Sequence, residues 1–300
     1  MSQYESCDEL PLLDSRGKFV AFLVTDLHIY GNGFSSQGIV VGKWSVITQK
    51  GNSMGHFRFE VVAAGALCAL TIVGLIRQSH PTLPWFFRLI RSIATLYLAL
   101  FKRFRIAGAD QIPVSGPVIL VANHTTAYDP VCLQVACRNR MIRFMEAREF
   151  YDKKPLTFIY RALRVIPVNR TGNDTASIRT AIRELSNNGC IGIFPEGRIS
   201  DDGLLHEARQ GVALLALLSG APVVPAFIQG TGGYSGMVRD FLRVNHVTLF
   251  FGPAIRFDDL RDRHRDKEAR EIALKRIMDA LADLAARAGT GGEPEPRAAA

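Results

Sequence analysis

Residues 123–130 read Asn-His-Thr-Thr-Ala-Tyr-Asp-Pro and follow the apolar run Val118-Ile119-Leu120-Val121. A histidine and an aspartate five apart do not stack on one helical face, where neighbours are three or four apart. A turn just beyond a strand end can instead fold the Asp129 carboxylate back onto the His124 imidazole. Such a pair holds the ring in one tautomer, stabilises its protonated form and leaves the other nitrogen to accept a proton. His124 is then a general base and Asp129 its partner. On spacing alone, a His and an Asp in a loop are more often surface groups or caps. Position strengthens the catalytic reading, because ligands of open α/β sheets sit beyond the carboxyl ends of strands.

Two further blocks end apolar runs with chemistry-bearing residues. Gly192-Ile193-Phe194-Pro195-Glu196-Gly197-Arg198 makes a rigid Pro/Gly turn carrying Glu196 and Arg198. Arg164-Val165-Ile166-Pro167-Val168-Asn169-Arg170 places Arg170 just past another strand. Two guanidinium forks suit the oxygens of a phosphate, so Arg170 and Arg198 are candidates for gripping an anion. The plainer alternative is an ordinary turn with a solvated ion pair. A fourth block, Ala221-Pro222-Val223-Val224-Pro225-Ala226, reads as an apolar strand walling a pocket.

These blocks need a scaffold. Apolar runs at 117–122, 141–145, 164–168, 190–194, 222–228 and 246–251 read as strands, and 130–138, 155–163, 174–187 and 206–219 as helices. Such alternation predicts an α/β domain with a mostly parallel sheet flanked by helices. Residues 266–288 form a closing amphipathic helix with Ala273, Ile277, Leu281 and Leu284 on one stripe. The catalytic domain is accordingly expected over 106–288, with a disordered tail at 289–300.

Residues 61–105 read as a helical pair. An uncharged run at 61–76 falls short of the roughly 20 residues of a full span. After Pro81 and Pro84, a second stretch mixes Trp85, Phe86, Phe87, Tyr97 and Phe101 with Arg88, Arg91, Lys102, Arg103 and Arg105. Cations beside interfacial aromatics suit a helix in the lipid headgroup region or a hairpin dipping into one leaflet. The alternative is an amphipathic core helix. Residues 1–60 stand apart as an N-terminal extension, with candidate strands at 18–24 and 39–47, and Met54 opens a segment that reads like a natural beginning.

The net charge of +8 implies anionic company, whether lipid, phosphorylated substrate or nucleic acid. No zinc finger or aromatic-basic sheet signature is present, so nucleic-acid binding is not expected. Five cysteines without a CxxC pair suggest reduced thiols. The scattered histidines at 28, 56, 80, 206, 246 and 264 offer no metal site, and none is expected.

Together the blocks at 123–129, 164–170, 194–198 and 221–226 resemble the glycerophosphate and lysophospholipid acyltransferase family, in order and in spacing. The resemblance covers roughly 83–255 and implies that His124 abstracts the acceptor hydroxyl proton and that Asp129 orients it. It implies that Arg170, Glu196, Gly197 and Arg198 bind the phosphate end of the acceptor. The implied acceptor is lysophosphatidic acid, with acyl-CoA or acyl-carrier protein as co-substrate, no cofactor, and a place at the cytoplasmic face of a membrane. Arg198 follows Gly197 directly where many members have a threonine, a pattern similar to enzymes acting on lysophosphatidylethanolamine. A hydrolase activating water with the same pair is the chief rival, and a non-catalytic membrane scaffold another.

Overall fold

The computed structural model describes residues 65, 67–77, 83–153, 156–170, 174–231 and 236–289, all within one compact unit, Phe59–Ala300. The expected extension at 1–60 with its two strands, and the tail beyond Gly289, lie outside the described residues.

Helix α1 (Trp85–Lys102) leads into β1 (Arg105–Ala107), and β2 (Val118–Ala122) into α2 (Asp129–Ala136). Next come β3 (Ile142–Ala147), α3 (Arg148–Tyr151), α4 (Leu156–Ala162), β4 (Ile166–Val168), α5 (Thr175–Ser186) and β5 (Cys190–Ile193). Helix α6 (Gly211–Ser219), β6 (Val223–Gln229), α7 (Met237–Leu242), β7 (Thr248–Phe251) and α8 (Lys267–Gly289) complete the domain. The seven strands run in the order β1-β7-β6-β2-β5-β3-β4. Every pairing is parallel except β6 with β7.

The mostly parallel α/β sheet expected from the strand-helix alternation is present. Strand β2 is central because both its faces are apolar: all five of its residues are buried. Ile119 and Val121 join a core with Leu185, Leu215, Ala273, Ile277 and Leu281, so α5, α6 and α8 cover one face. Val118, Leu120 and Ala122 join Leu98, Cys132, Leu133 and Ala136, so α1 and α2 cover the other. Strand β1 was not anticipated. Three residues with one large apolar side chain carry no periodic signal, and its place comes from backbone pairing with β7.

Helix α1 departs from the expected arrangement. It does not reach Arg105 and is not separate from the catalytic domain, because its apolar face needs cover and finds it on α2 and the sheet. Two of the five cations assigned to lipid headgroups point inward. Lys102 is fully buried and donates to the carbonyls of Asp240 (2.6 Å) and Arg243 (2.5 Å). Arg91 is buried and donates to the carbonyl of Val135 at 3.3 Å. The outer face of α1 nevertheless exposes Trp85, Phe86, Ile93, Leu100 and Phe101.

Register then explains one glycine. Leu120, Phe144 and Gly192 lie level on β2, β3 and β5, so side chains two residues further on share their face. A Cβ on Gly192 would sit 2.6 Å from the Phe144 ring and 2.7 Å from the Ile142 side chain. The missing side chain lets Phe144 lie across β5, where its ring stacks on Phe194 at 6.0 Å. Gly192→Ala should therefore destabilise the domain by about 1–3 kcal/mol through overpacking. A denaturant titration checks this, and an unchanged midpoint would show that the ring has room to move.

Candidate active site

His124 follows the end of β2, and the loop from it to Asp129 is closed by one carboxylate. Asp129 is completely buried. Its Oδ2 accepts the backbone amides of Thr125 (2.6 Å) and Thr126 (2.8 Å) and meets His124 Nδ1 at 3.0 Å. Its Oδ1 accepts the Thr126 hydroxyl at 2.7 Å. An ionised carboxylate only accepts, so Nδ1 must carry the hydrogen and Nε2 is left with a lone pair. The loop amides explain how residues five apart meet. Pro130, in the first turn of α2, starts the helix from this loop.

Two neighbouring segments, β6 and the loop after β5, hold the backbone around His124. The Asn123 side chain bridges to β6, donating to the Ile228 carbonyl at 3.0 Å and accepting its amide at 2.7 Å. The His124 carbonyl accepts the Ser200 amide at 2.7 Å. The His124 amide donates to Glu196 Oε1 at 3.3 Å, while Glu196 Oε2 accepts the His206 amide at 3.4 Å. The imidazole, with its side chain 14% exposed, stacks on Phe194 with ring centroids 4.1 Å apart. Thr125 and Thr231 join their hydroxyls across the start of an adjoining cavity of about 330 Å³, lined also by Asp202, Gly203 and the end of β6.

Glu196 therefore faces inward and spends both oxygens on backbone amides. Burial raises its pKa above the usual carboxylate range, and the amides of His124 and His206 act in the opposite sense. Gly197 turns at φ +67°, where a Cβ would lie 2.7 Å from Arg209 Nε. Arg198 is exposed on the same loop. Arg170 lies past β4, where it pairs with Glu149 at 3.1 Å and lies over the Phe150 ring at 5.7 Å.

Sequence reasoning missed Glu146 and Glu149. Glu146 ends β3 on the face that carries Phe144, and its Oε1 accepts the Ala147 amide at 3.0 Å. Burial raises its pKa, against the opposing pull of that amide, His124 and Arg170. A lone glutamate inside an otherwise ordinary strand carries no motif. The usable signal was its place at the carboxyl end of a strand. Among the described residues, no three His, Cys, Asp or Glu side chains converge to hold a metal.

A mostly parallel sheet with a His–Asp pair beyond its central strand, its carboxylate buried, is the arrangement to be set beside known proteins. Residues 103–229 match the family model described as Acyltransferase. The chain is 28% identical over 134 residues to 1-acyl-sn-glycerol-3-phosphate acyltransferase of Bacillus subtilis (strain 168), covering 44% of this chain and 66% of that one. It is 25% identical over 195 residues to the beta form from Homo sapiens, covering 64% and 68% respectively. The match thus spans about two thirds of the length of each of these relatives. The crystal structure of the 1-acyl-sn-glycerophosphate acyltransferase PlsC from Thermotoga maritima shares the fold. It has a TM-score of 0.51 at 21% identity and covers 68% of this chain and 81% of that one. Over residues 103–229 the chain is similar to the acyltransferase family, and its listed relatives are 1-acyl-sn-glycerol-3-phosphate acyltransferases.

Glu196→Gln would turn one acceptor oxygen into a donor facing a backbone amide. The variant should lose about 1–3 kcal/mol of stability and, by loosening His124, most of its activity. Thermal unfolding and initial rates measured together test this, and unchanged values in both would remove Glu196 from the site's support.

Proposed function

We propose that this protein transfers a fatty acyl group from acyl-CoA or acyl-carrier protein to the free hydroxyl of lysophosphatidic acid or a related lysophospholipid, with His124 as general base. The observation that carries the reading is the 3.0 Å contact between His124 Nδ1 and the wholly buried Asp129 carboxylate. It leaves Nε2 free to take the acceptor's proton. The oxygen then attacks the thioester carbonyl, the tetrahedral intermediate expels the thiolate, and the proton on His124 returns to it. General-base help of this kind contributes about 10²–10⁴-fold. Asp129 stabilises the imidazolium formed on the way.

Direct transfer is the more economical route. Cys132, Cys137 and Cys190 are buried in the body of the domain, and burial drives the Cys132 thiol well above its ordinary pKa. Gly51-Asn52-Ser53-Met54-Gly55 has the spacing of a nucleophile elbow, but it lies outside both the described residues and the family match.

We assign the acceptor's phosphate end to Arg170 and Arg198, with Glu196 and Gly197 shaping the turn that carries Arg198. Lysophosphatidic acid offers a monoester for both arginines. Lysophosphatidylethanolamine remains the alternative that the Arg198-Ile199 sequence favours.

The outer face of α1, with exposed Trp85, Ile93 and Leu100, suits contact with a membrane's cytoplasmic face, as do exposed Leu67, Leu70 and Val73 in the helical stretch 67–77. None of the described helices is long and apolar enough to cross a membrane.

The test is acyl transfer by purified protein with long-chain acyl thioesters and each lysophospholipid. His124→Ala should abolish transfer while leaving the fold intact by circular dichroism. Asp129→Asn should lower the rate by about 10²–10⁴-fold. Near-normal turnover by His124→Ala sinks the proposal, and release of free fatty acid regardless of acceptor would establish the hydrolase instead. Trp85→Glu combined with Leu100→Glu should reduce sedimentation with anionic vesicles, and undiminished binding would place the lipid contact elsewhere.

A further inference from the structure

The sheet brings a second carboxylate to His124. Leu120 on β2 and Phe144 on β3 both lie level with Gly192 on β5. Following these registers by two residues puts Ala122, Glu146 and Phe194 in one row at the carboxyl edge, with side chains on one face. His124 is the next residue of that parity beyond Ala122. The rings confirm the row: Phe144 stacks on Phe194, and Phe194 stacks on His124 at 4.1 Å. Glu146 stands at the end of the strand that supplies the outermost ring of this ladder.

We propose that Glu146 is a positioning residue for the reaction: a carboxylate additional to Asp129 that stabilises His124 in its protonated form after the acceptor's proton is taken. The inference rests on His124 being the base. Asp129 alone fixes the ring's tautomer, since it holds the only hydrogen bond to Nδ1 described here. Glu146 acts through its charge, half-buried beside the stacked rings of Phe144 and Phe194. Electrostatic help of this kind is stronger at a partly dry site than in water.

Other charged groups share the space. His124 faces Asp129 from its own loop and Glu196 from the loop after β5, whose second oxygen holds the His206 amide. Glu146 faces Arg170 from beyond β4, Glu149 from α3 and Tyr160 from α4. Arg170 opposes the effect on His124, but its guanidinium is paired with Glu149. Burial raises the pKa of Glu146, so its charge, and its help to His124, is present at higher pH and is lost as pH falls through that raised value.

The test begins without turnover. The full chain carries seven histidines. Labelled imidazole signals of the folded protein are titrated by NMR, and a His124→Gln spectrum identifies the resonance. In Glu146→Gln the His124 midpoint should fall, because a nearby opposite charge has been removed. Glu146→Asp should recover part of it. The kinetic arm should show the acid limb of the kcat/KM profile moving to lower pH by the same amount. It should also show kcat down roughly 3–10-fold, with the acceptor KM little changed. Identical midpoints in wild type and Glu146→Gln overturn the proposal. So does a raised acceptor KM with unchanged kcat and midpoint, which would make Glu146 a substrate contact. If the wild type transfers no acyl group to any lysophospholipid, the proposed function fails while the titration still decides the role of Glu146.

Discussion

A carboxylate removed from water must be given donors or it will not remain charged, and Asp129 is completely buried. Two loop amides, a threonine hydroxyl and one imidazole nitrogen meet that need. Much of the site's geometry follows from it. The amides of Thr125 and Thr126 reach Asp129 only if the chain curls immediately after β2. Once it curls, His124 can present one ring edge to the carboxylate and the other to a substrate. Glu196 repeats the device from the opposite side, with both oxygens on backbone amides. His124 is thus held mainly through its main chain, and its ring is left comparatively unencumbered.

The sheet beneath contributes level and spacing. Parallel pairing aligns the carboxyl ends of β2, β5 and β3, so residues far apart in sequence emerge side by side. Gly192 makes this workable for bulky rings by vacating the place that Phe144 needs. Asn123 adds the link to β6, satisfying one amide and one carbonyl where the ladder would otherwise end. The result is a rigid platform on which short loops suffice.

Legibility in the sequence varied with the length and regularity of the signal. The strands at 117–122, 190–194 and 222–228 were readable because each is a largely buried, continuous apolar run. The stripe Ala273-Ile277-Leu281-Leu284 announced α8, and all four are buried. His124 and Asp129 were readable because position beyond a strand narrows what such residues do. Three-residue β1 was not readable, since backbone pairing leaves no mark on side-chain pattern. Lys102 misled for a physical reason: a lysine beside aromatics looks interfacial, yet here two carbonyls and the Tyr128 ring, 4.4 Å away, take its charge inside. Glu146 stayed hidden because β4 and β5, the strands beside its own, are distant in sequence.

Lys102 also joins parts that would otherwise move separately. It belongs to α1, whose outer face is apolar and open, while Tyr128, under its ammonium, belongs to the loop between His124 and Asp129. Asn245 ties the same tyrosine hydroxyl, at 3.2 Å, to the Gly230 carbonyl at 2.6 Å. Helix α1 therefore cannot swing like a tether. It is the keel of the domain, about 27 Å long at 1.5 Å per residue, and the loop from His124 to Asp129 is bolted to it. Whatever surface the keel rests on, the histidine keeps a constant bearing and elevation relative to that surface.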